Sequence, residues 1–375
     1  MTDLFAPYPL NNGITIKNRL VVAPMTHFAS NPDGTLSEQE QRFVGNRAGD
    51  IGMFITAATL VAKNGKAFAG QPEAIDERHL AGLKQLAQTL QNQGAKAILQ
   101  IHHGGTQAVK DLLGGQALIG PSGHEPSGAK AATEDEVLSL IQAFANAAEL
   151  AILAGFDGVE IHGANGYLIQ QFFSGEFNKR DDAWGGSLEK RLKFPLAVVD
   201  AVVKVREKHQ KPDFIIGYRF SPEEPGEHGL TMADTFALID ALCDKPLQYL
   251  HISLWDFSKK ARRGADTNLT RMELVHRQIA GRLPLIGVGN LLSGQQIREA
   301  YATGFAEFIA LGKAVMINPN IGTLLKNGQD DQIASTLDPQ KDDHYGIPDI
   351  LWGLCLQGGQ WLPPIQGKDW QPVDL

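Results

Sequence analysis

The chain has 375 residues, of which 43% are hydrophobic and 20% charged, and its formal net charge at pH 7 is -8. This apolar content supports a large buried core, and the length suits one large α/β domain or two smaller ones. The negative charge balance gives no general attraction to nucleic acid or to anionic lipid, so we expect neither as a partner.

The sequence shows no signal for membrane insertion or export and no pattern of cysteines that would form disulfides. No apolar run approaches the length of a membrane span, and the N-terminal residues MTDLFAPYPL have neither the charged start nor the apolar stretch of an export signal. The two cysteines, Cys243 and Cys355, give neither a disulfide framework nor the spacing of a metal cluster. We therefore expect a cytoplasmic protein with no membrane segment and no metal site.

The first structural pattern is a hairpin. Residues 8–17, YPLNNGITIK, place Asn12 and Gly13 between two short alternating runs, which is typical of a β-hairpin and would cap one end of a domain. The next run, NRLVVAPM at 18–25, predicts a strand stopped by Pro24, and a helical pattern follows from Ser37 to Ala48.

The same alternation of strand and helix recurs along the chain. Apolar strand candidates lie at 51–57, 95–101, 158–161, 214–220, 249–253, 285–288 and 308–311, and helical patterns at 77–93, 134–154, 188–208, 232–243, 270–282, 293–303 and from 313 onward. With the first pair, these make eight βα units, and strands this apolar are typical of a parallel sheet covered by helices. The sequence therefore predicts a (β/α)8 TIM barrel over residues 1–335, with an N-terminal hairpin cap. Residues 336–375 would be a C-terminal extension and not an independent domain.

A barrel of this kind has its active site at the C-terminal ends of the strands, so the residues that follow each strand matter most. In residues 156–173, FDGVEIHGANGYLIQQFF, an apolar run ends on His162 and is followed by Asn165 and Tyr167. A histidine and an asparagine can each donate a hydrogen bond to one oxygen, and a tyrosine hydroxyl can give up a proton, which suits activation of a carbonyl compound. On these residues alone, the alternative that His162 only satisfies loop backbone groups stays open.

The last two strands end in glycine-containing motifs, GVGN at 287–290 and ALGK at 310–313. The usual phosphate site of this barrel lies after those two strands, and glycines there let backbone N–H groups approach a phosphate. Lys313 would add a full positive charge. We expect Gly289, Asn290, Gly312 and Lys313 to hold a phosphate group.

Most of the chain, from NRLVVAPMT at Asn18 to ALGKAVMINP ending at Pro319, resembles the old yellow enzymes, which are FMN-dependent ene-reductases and NAD(P)H:flavin oxidoreductases. The motifs EIHGANGYLIQQF and FNKRDDAWGGSLEKR carry most of this resemblance. It implies FMN as cofactor, NADH or NADPH as reductant, and reduction of the activated C=C bond of α,β-unsaturated carbonyl compounds.

The resemblance also implies a role for individual residues. Pro24, Met25 and Thr26 would touch the isoalloxazine ring, Ala58 would offer a backbone contact, Gln100 would bond the pyrimidine side, and Arg219 would stabilise the negative charge of reduced flavin. The cofactor site would be completed by Val288, Gly289, Asn290, Leu311, Gly312 and Lys313. His162 and Asn165 would hold the oxygen of the acceptor and Tyr167 would protonate its α carbon, while His27, Phe28 and Trp255 could shape the substrate pocket.

Four features depart from the family pattern. Lys313 stands where many relatives have arginine. Lysine offers a single ammonium charge in place of a guanidinium group that can donate two parallel hydrogen bonds. Asn165 stands where some relatives have histidine, Trp184 replaces a commoner tyrosine, and residues 336–375 match nothing that can be assigned.

Other functions remain possible at this point: a flavin-binding redox sensor, or an NAD(P)H oxidase or quinone reductase without a dedicated alkene substrate. A dienoyl-CoA reductase would need a cysteine cluster, which two separated cysteines cannot supply. A metal-dependent hydrolase would need a His-x-His pair at an early strand end, which the sequence lacks. The sequence leaves open the alkene, the choice between NADH and NADPH, and the oligomeric state.

Overall fold

A computed structural model describes residues 3–373 and shows a closed barrel of eight parallel strands. We name these strands β1 to β8 in chain order; they are Leu20–Val22, Met53–Ile55, Lys96–His102, Gly158–Gly163, Ile215–Phe220, Tyr249–Ile252, Leu285–Gly287 and Phe308–Leu311. Each strand pairs with the next, and β8 pairs with β1 to close the barrel. The predicted (β/α)8 barrel is confirmed.

Helices surround the barrel in the predicted order. They are Glu38–Val44, Leu80–Gln91, Glu134–Ala154, Leu188–Lys208, Met232–Cys243, Arg271–Ile279, Gly294–Ala302, Lys313–Ile317 and Ile321–Lys326, with additional helices at Leu168–Phe173 and Asp349–Gln357. Three of them begin and end where the sequence predicted, Glu134–Ala154, Leu188–Lys208 and Met232–Cys243. Their starts are fixed because a side-chain oxygen of Thr133, Ser187 or Thr231 accepts a hydrogen bond from a backbone N–H three residues later. The predicted helix at 77–93 is divided into a 3₁₀ turn, Glu77–His79, and the helix Leu80–Gln91.

The helix Glu134–Ala154 corrects one expectation. By length and composition alone it is long and apolar enough to cross a membrane, although we expected no apolar run of that length. In the fold it packs against the helices Leu80–Gln91 and Leu188–Lys208, and its buried residues face the barrel. A buried helix of a barrel can be equally long and apolar, so the apolar composition of Glu134–Ala154 is explained by its packing within the fold.

The predicted hairpin closes the N-terminal end of the barrel. Tyr8–Pro9 pairs antiparallel with Thr15–Ile16. Leu10 and Ile16 pack into one buried cluster with inward-facing side chains of the barrel, among them Val21, Met53, Ile55, Ile98, Ile215, Tyr249, Ile286 and Phe308. Because this end is filled with apolar side chains, the opposite end of the barrel is left for polar residues.

The C-terminal segment, which the structure describes over residues 336–373, lies against the barrel. Leu337, Ile347, Leu351 and Cys355 belong to the same buried cluster as the helices around the barrel. Leu337 also exchanges backbone hydrogen bonds with the end of the segment, accepting from Gln366 at 2.9 Å and donating to Pro364 at 2.8 Å. The boundary at residue 335 stays a prediction.

Candidate active site

A cavity of about 240 Å³ opens at the C-terminal end of the barrel. Many of the predicted site residues line it together, namely Pro24, Met25, Thr26, Asn165, Arg219, Trp255, Val288, Asn290, Gly312 and Lys313. The rest of its wall is formed by Ala23, Ser253, Leu254, Leu291, Ala310, Met316, Leu351, Trp361 and Leu362. The strand ends thus meet around one space, as the barrel geometry requires.

A second cavity of about 530 Å³ adjoins the first. Asn165, Ser253, Leu254 and Trp255 line both of them, so the two spaces meet at these residues. The second cavity extends over the loops after β4, β5 and β6. It gives the first cavity an open side through which a ligand larger than the inner pocket can extend.

His162 lies near the end of β4 and is 3% exposed. Its Nδ1 accepts a hydrogen bond from the backbone N–H of Ala164 at 3.3 Å, so the proton of the neutral ring is on Nε2. Burial, together with the neighbouring His102 and Arg219, lowers the pKa of His162 well below its ordinary value. The ring is therefore neutral at physiological pH, and its Nε2–H is a hydrogen-bond donor.

Asn165 has a fixed amide orientation. Its Oδ1 accepts hydrogen bonds from the hydroxyls of Ser253 at 2.8 Å and Ser221 at 3.4 Å, and its backbone N–H donates to Ser221 Oγ at 2.8 Å. The backbone is left-handed here, with φ at 58°, a conformation that asparagine adopts more readily than most residues. Because the serines occupy the carbonyl oxygen, the amide NH₂ group is left to donate to a ligand.

Tyr167 completes an aromatic cluster with two histidines. Its ring lies edge to face with His162, centroids 5.3 Å apart, and with His102, centroids 4.4 Å apart. Burial raises the pKa of Tyr167, so the hydroxyl keeps its proton. Gln71 donates to His102 Nδ1 at 3.0 Å, and burial lowers the pKa of His102 to about 3, so this ring is neutral as well.

A buried polar layer lies one inward-facing position below His162. The Glu160 carboxylate accepts hydrogen bonds from Gln100 Nε2 at 2.8 Å, from the Tyr249 hydroxyl at 3.0 Å and from His251 Nδ1 at 2.9 Å. Burial raises the pKa of Glu160, but the interactions with His251, Arg219 and Gln100 outweigh it and the pKa lies below its ordinary value. A buried carboxylate is thus held ionised under the floor of the cavity.

Arg219 has the environment expected for a cation beside a flavin ring. It lines the cavity, and within residues 3–373 its buried Nε has no hydrogen-bond partner. In β-sheet register it lies beside His162 on one side and His251 on the other. Since a buried charged group without hydrogen bonds is costly, an anionic ligand in the cavity would satisfy it.

The opposite side of the cavity has the features of a phosphate site. Lys313 Nζ donates to Asn290 Oδ1 at 3.2 Å, and burial lowers the pKa of Lys313 to about 8. A Cβ at Gly312 would lie 3.7 Å from Ala23 and 3.8 Å from Met25, which are ordinary contact distances to two residues that line the cavity, so the backbone here borders the cavity closely. The two cations of the cavity therefore fit the two ends of FMN: Arg219 suits the isoalloxazine ring, and Lys313, beside Gly312, suits the phosphate.

Some predicted cofactor residues do not line the cavity. Gln100 lies below it and bonds Glu160, and the carbonyl of Ala58 accepts from Gln71 Nε2 at 3.1 Å. Leu311 is buried in the core. Gly289 is needed for another reason, because a Cβ there would lie 2.1 Å from the backbone nitrogen of Phe257.

Of the three residues proposed for the substrate pocket, Trp255 lines both cavities. His27 is directed elsewhere: its Nε2 lies 3.3 Å from Glu40 Oε1, in the helix Glu38–Val44. Phe28 lies beside the cavity wall, with ring contacts to Phe68 and to Trp361, whose centroid is 6.3 Å away.

The sequence analysis missed two groups of residues. Glu160, Tyr249 and His251 were overlooked, although Glu160 lies two residues before His162 and so points to the same face of the strand. Leu351, Trp361 and Leu362 come from the C-terminal segment, and no local pattern placed them at the site.

Comparisons with known proteins agree with this geometry. The NADH:flavin oxidoreductase / NADH oxidase family matches residues 3–332. A probable NADH-dependent flavin oxidoreductase of Bacillus subtilis, YqiG, is 48% identical over 363 residues, which cover 96% of this chain and 97% of the relative.

Two solved structures are also similar. Morphinone reductase superposes with a TM-score of 0.75 at 26% identity, over 92% of this chain and 95% of that chain. An old yellow enzyme homologue from Zymomonas mobilis superposes with a TM-score of 0.76 at 22% identity, over 92% and 99% of the two chains, and shares the fold.

The chain belongs to the old yellow enzyme family of NADH:flavin oxidoreductases, as its resemblance predicted. It is an NAD(P)H-dependent oxidoreductase whose cofactor is FMN.

Proposed function

We propose that this protein is an ene-reductase, which uses NADH or NADPH to reduce the activated C=C bond of α,β-unsaturated carbonyl compounds. The observation that carries the proposal is a pair of oriented donors at the C-terminal end of β4, the Nε2–H of His162 and the amide of Asn165, which the bonds that fix the two side chains leave unused. Asn165 lines both cavities, and His162 lies beside the cavity-lining Arg219 in the sheet register. The similarity to a probable flavin mononucleotide-dependent alkene reductase of Leishmania infantum, 29% identical over 335 residues, supports the same class of reaction.

The residues present fit FMN at the cavity. Pro24, Met25, Thr26 and Arg219 would lie against its ring system, and Asn290, Gly312 and Lys313 would hold its phosphate. Bound FMN supplies the hydride, which it obtains from NAD(P)H.

The two donors would act on the carbonyl oxygen of the acceptor. Donors held in place in a desolvated site withdraw electron density as charge develops on that oxygen, and this makes the β carbon more electrophilic. Because His162 and Asn165 are fixed by Ala164, Ser221 and Ser253, little reorganisation is needed when the substrate binds.

Tyr167 would supply the proton that the α carbon takes up. Its raised pKa keeps the proton on the hydroxyl until the carbon becomes basic. The neutral rings of His102 and His162 pack against it and offer no charge that would draw the proton away.

Stopped-flow kinetics with His162→Ala and Tyr167→Phe test this proposal. The two half-reactions are followed separately: reduction of the flavin by NADH, and reoxidation by 2-cyclohexenone. His162→Ala should slow reoxidation by about 100-fold and weaken the binding of phenols, because one oxygen-binding donor is lost. Tyr167→Phe should slow reoxidation by about 100-fold or more and leave flavin reduction unchanged.

His228→Ala is the matched control, since His228 is exposed and lies outside both cavities. It should behave as the wild type in both half-reactions. Wild-type enzyme that is reoxidised by oxygen or a quinone but not by 2-cyclohexenone would favour an oxidase or quinone reductase. A Tyr167→Phe enzyme slowed only in flavin reduction would contradict the assigned role of the tyrosine.

A further inference from the structure

The C-terminal segment forms part of the cavity wall. Leu351, Trp361 and Leu362 line the space in which Arg219 and Lys313 also lie. All three lie beyond residue 332, where the match to the family ends. The family match therefore gives this wall no role.

The same segment holds the phosphate-site lysine. Lys313 Nζ donates to the backbone carbonyl of Gln360 at 3.3 Å, and it lies 4.5 Å from the centre of the Trp370 ring. Cation–π contacts of this length are favourable, and a carbonyl partner lowers the cost of burying an ammonium group. These contacts place the lysine charge at the edge of the cavity.

Hydrogen bonds within the C-terminal segment define its position. Trp370 Nε1 donates to the carbonyl of Leu362 at 3.1 Å, and Leu337 is hydrogen-bonded to Pro364 and Gln366. Trp361 itself is 41% exposed although it is one of the largest apolar side chains at the site. An exposed indole next to a cavity is a surface on which a planar ligand can pack.

We propose that residues 360–370 are part of the FMN site of their own chain: Trp361 packs against the bound cofactor, and the Gln360 carbonyl and the Trp370 ring hold Lys313 in position for the phosphate. The segment therefore helps to retain the flavin. The inference rests on the FMN cofactor and is independent of the alkene substrate, so a failure of the proposed ene-reductase activity leaves it intact.

Dilution of the full-length holoenzyme tests the inference, with release of FMN recorded as a rise in flavin fluorescence. Trp361→Ala should raise the dissociation constant for FMN by about threefold to tenfold, the range expected for loss of an aromatic contact. Trp361→Phe should keep most of the affinity. Trp370→Ala should also weaken the binding of FMN, but it should not weaken the binding of riboflavin, which has no phosphate.

Ile350→Ala is the control within the same segment, because Ile350 is 56% exposed and does not line the cavity. A second readout is tryptophan emission, which bound FMN should quench less in Trp361→Ala than in the wild type. Trp361→Ala that binds FMN as tightly as the wild type would overturn the inference. So would equal weakening in Trp361→Ala and Ile350→Ala, since that result would mean that any disturbance of the segment has the same effect.

Discussion

The guanidinium of Arg219 lies among the inward-facing side chains at the open end of the barrel, with 9% of the residue exposed. Glu160 is close enough to raise its pKa, but burial is the larger influence and lowers it. The Glu160 carboxylate already accepts from Gln100, Tyr249 and His251. The arginine donors are therefore available for a ligand in the cavity, and the glutamate balances their charge from below.

Replacement of Arg219 should change the reduction potential of the bound flavin. Reduced flavin carries negative charge, so Arg219→Met should make reduction less favourable by roughly 1.5–3 kcal/mol, the contribution of a hydrogen bond to a charged group. For a two-electron couple this corresponds to a potential lower by about 30–60 mV. Arg219→Lys should shift the potential less, because the charge is kept while the planar fork is lost. Spectroelectrochemical titration measures both, and an unchanged potential in the methionine variant would contradict this role.

Lys313 should give the affinity for FMN a pH dependence. Burial lowers the pKa of Lys313 to about 8, and a bound phosphate would raise it. Binding then favours the protonated lysine, so the FMN dissociation constant should increase as the pH rises above about 8. Equilibrium titrations between pH 7 and 10 would detect this, and Lys313→Arg should remove the dependence because arginine stays charged. An equally steep rise in the arginine variant would place the titrating group elsewhere.

At the scale of the elements, Gly217 in β5 leaves room for the side chain of Tyr249 in β6. A Cβ at Gly217 would lie 2.0 Å from the Tyr249 ring, and this ring carries the hydroxyl that donates to Glu160. Since Gly217 and Tyr249 are register partners in β5 and β6, the ring occupies the space that the missing side chain leaves. The polar layer under the cavity depends on this small residue.

Gly217→Ala should therefore destabilise the fold. Overpacking of a buried site typically costs about 1–3 kcal/mol, and the hydrogen bond between Tyr249 and Glu160 would be strained as well. Denaturant unfolding of the full-length protein measures the loss. Gly353→Ala is the matched control. Among the described residues no atom beyond its own helix backbone lies within 4 Å of its added Cβ, and it lies in the helix Asp349–Gln357, where alanine is favoured over glycine. Equal stability of the two variants would show that the Tyr249 ring can move aside without cost.

The sequence predicted the elements well because their periodicity and caps are local. Thr133, Ser187 and Thr231 each mark a helix start through bonds to residues that follow directly in the chain. Strand ends that carry polar residues, such as His162 and Arg219, were also predictable, since barrel closure brings all strand ends to one rim.

Features that depend on distant partners could not be predicted in this way. The direction of His27 is set by Glu40, and the glycine at 289 is required by Phe257, more than thirty positions away in the chain. The contribution of Trp361 to the cavity depends on how a segment without strong periodicity packs over the barrel. Such contacts appear only once the fold is known.

At the scale of the whole molecule, neutral histidines buried at the open end of the barrel couple its stability to pH. Burial lowers the pKa of His103 to about 3, and burial with the nearby His103 does the same for His102. His103 uses both ring nitrogens, accepting from the Gly105 N–H at 3.0 Å and bonding Asn64 Oδ1 at 2.9 Å. The folded protein therefore resists protonation at positions where the unfolded chain accepts protons readily.

The free energy of unfolding should fall as the pH is lowered below the ordinary histidine value of about 6.5. Between that pH and about 3 the unfolded chain binds a proton at His102 and His103 that the folded protein excludes, so the two together remove roughly 3 kcal/mol of stability for each pH unit. Urea unfolding at several pH values measures the slope. His103→Gln, which can keep a hydrogen bond to Asn64 but cannot titrate, should reduce it by about 1.4 kcal/mol per pH unit, whereas His228→Gln at an exposed position should leave it unchanged. A His103→Gln protein with the wild-type slope would mean that acid unfolding is controlled by other groups.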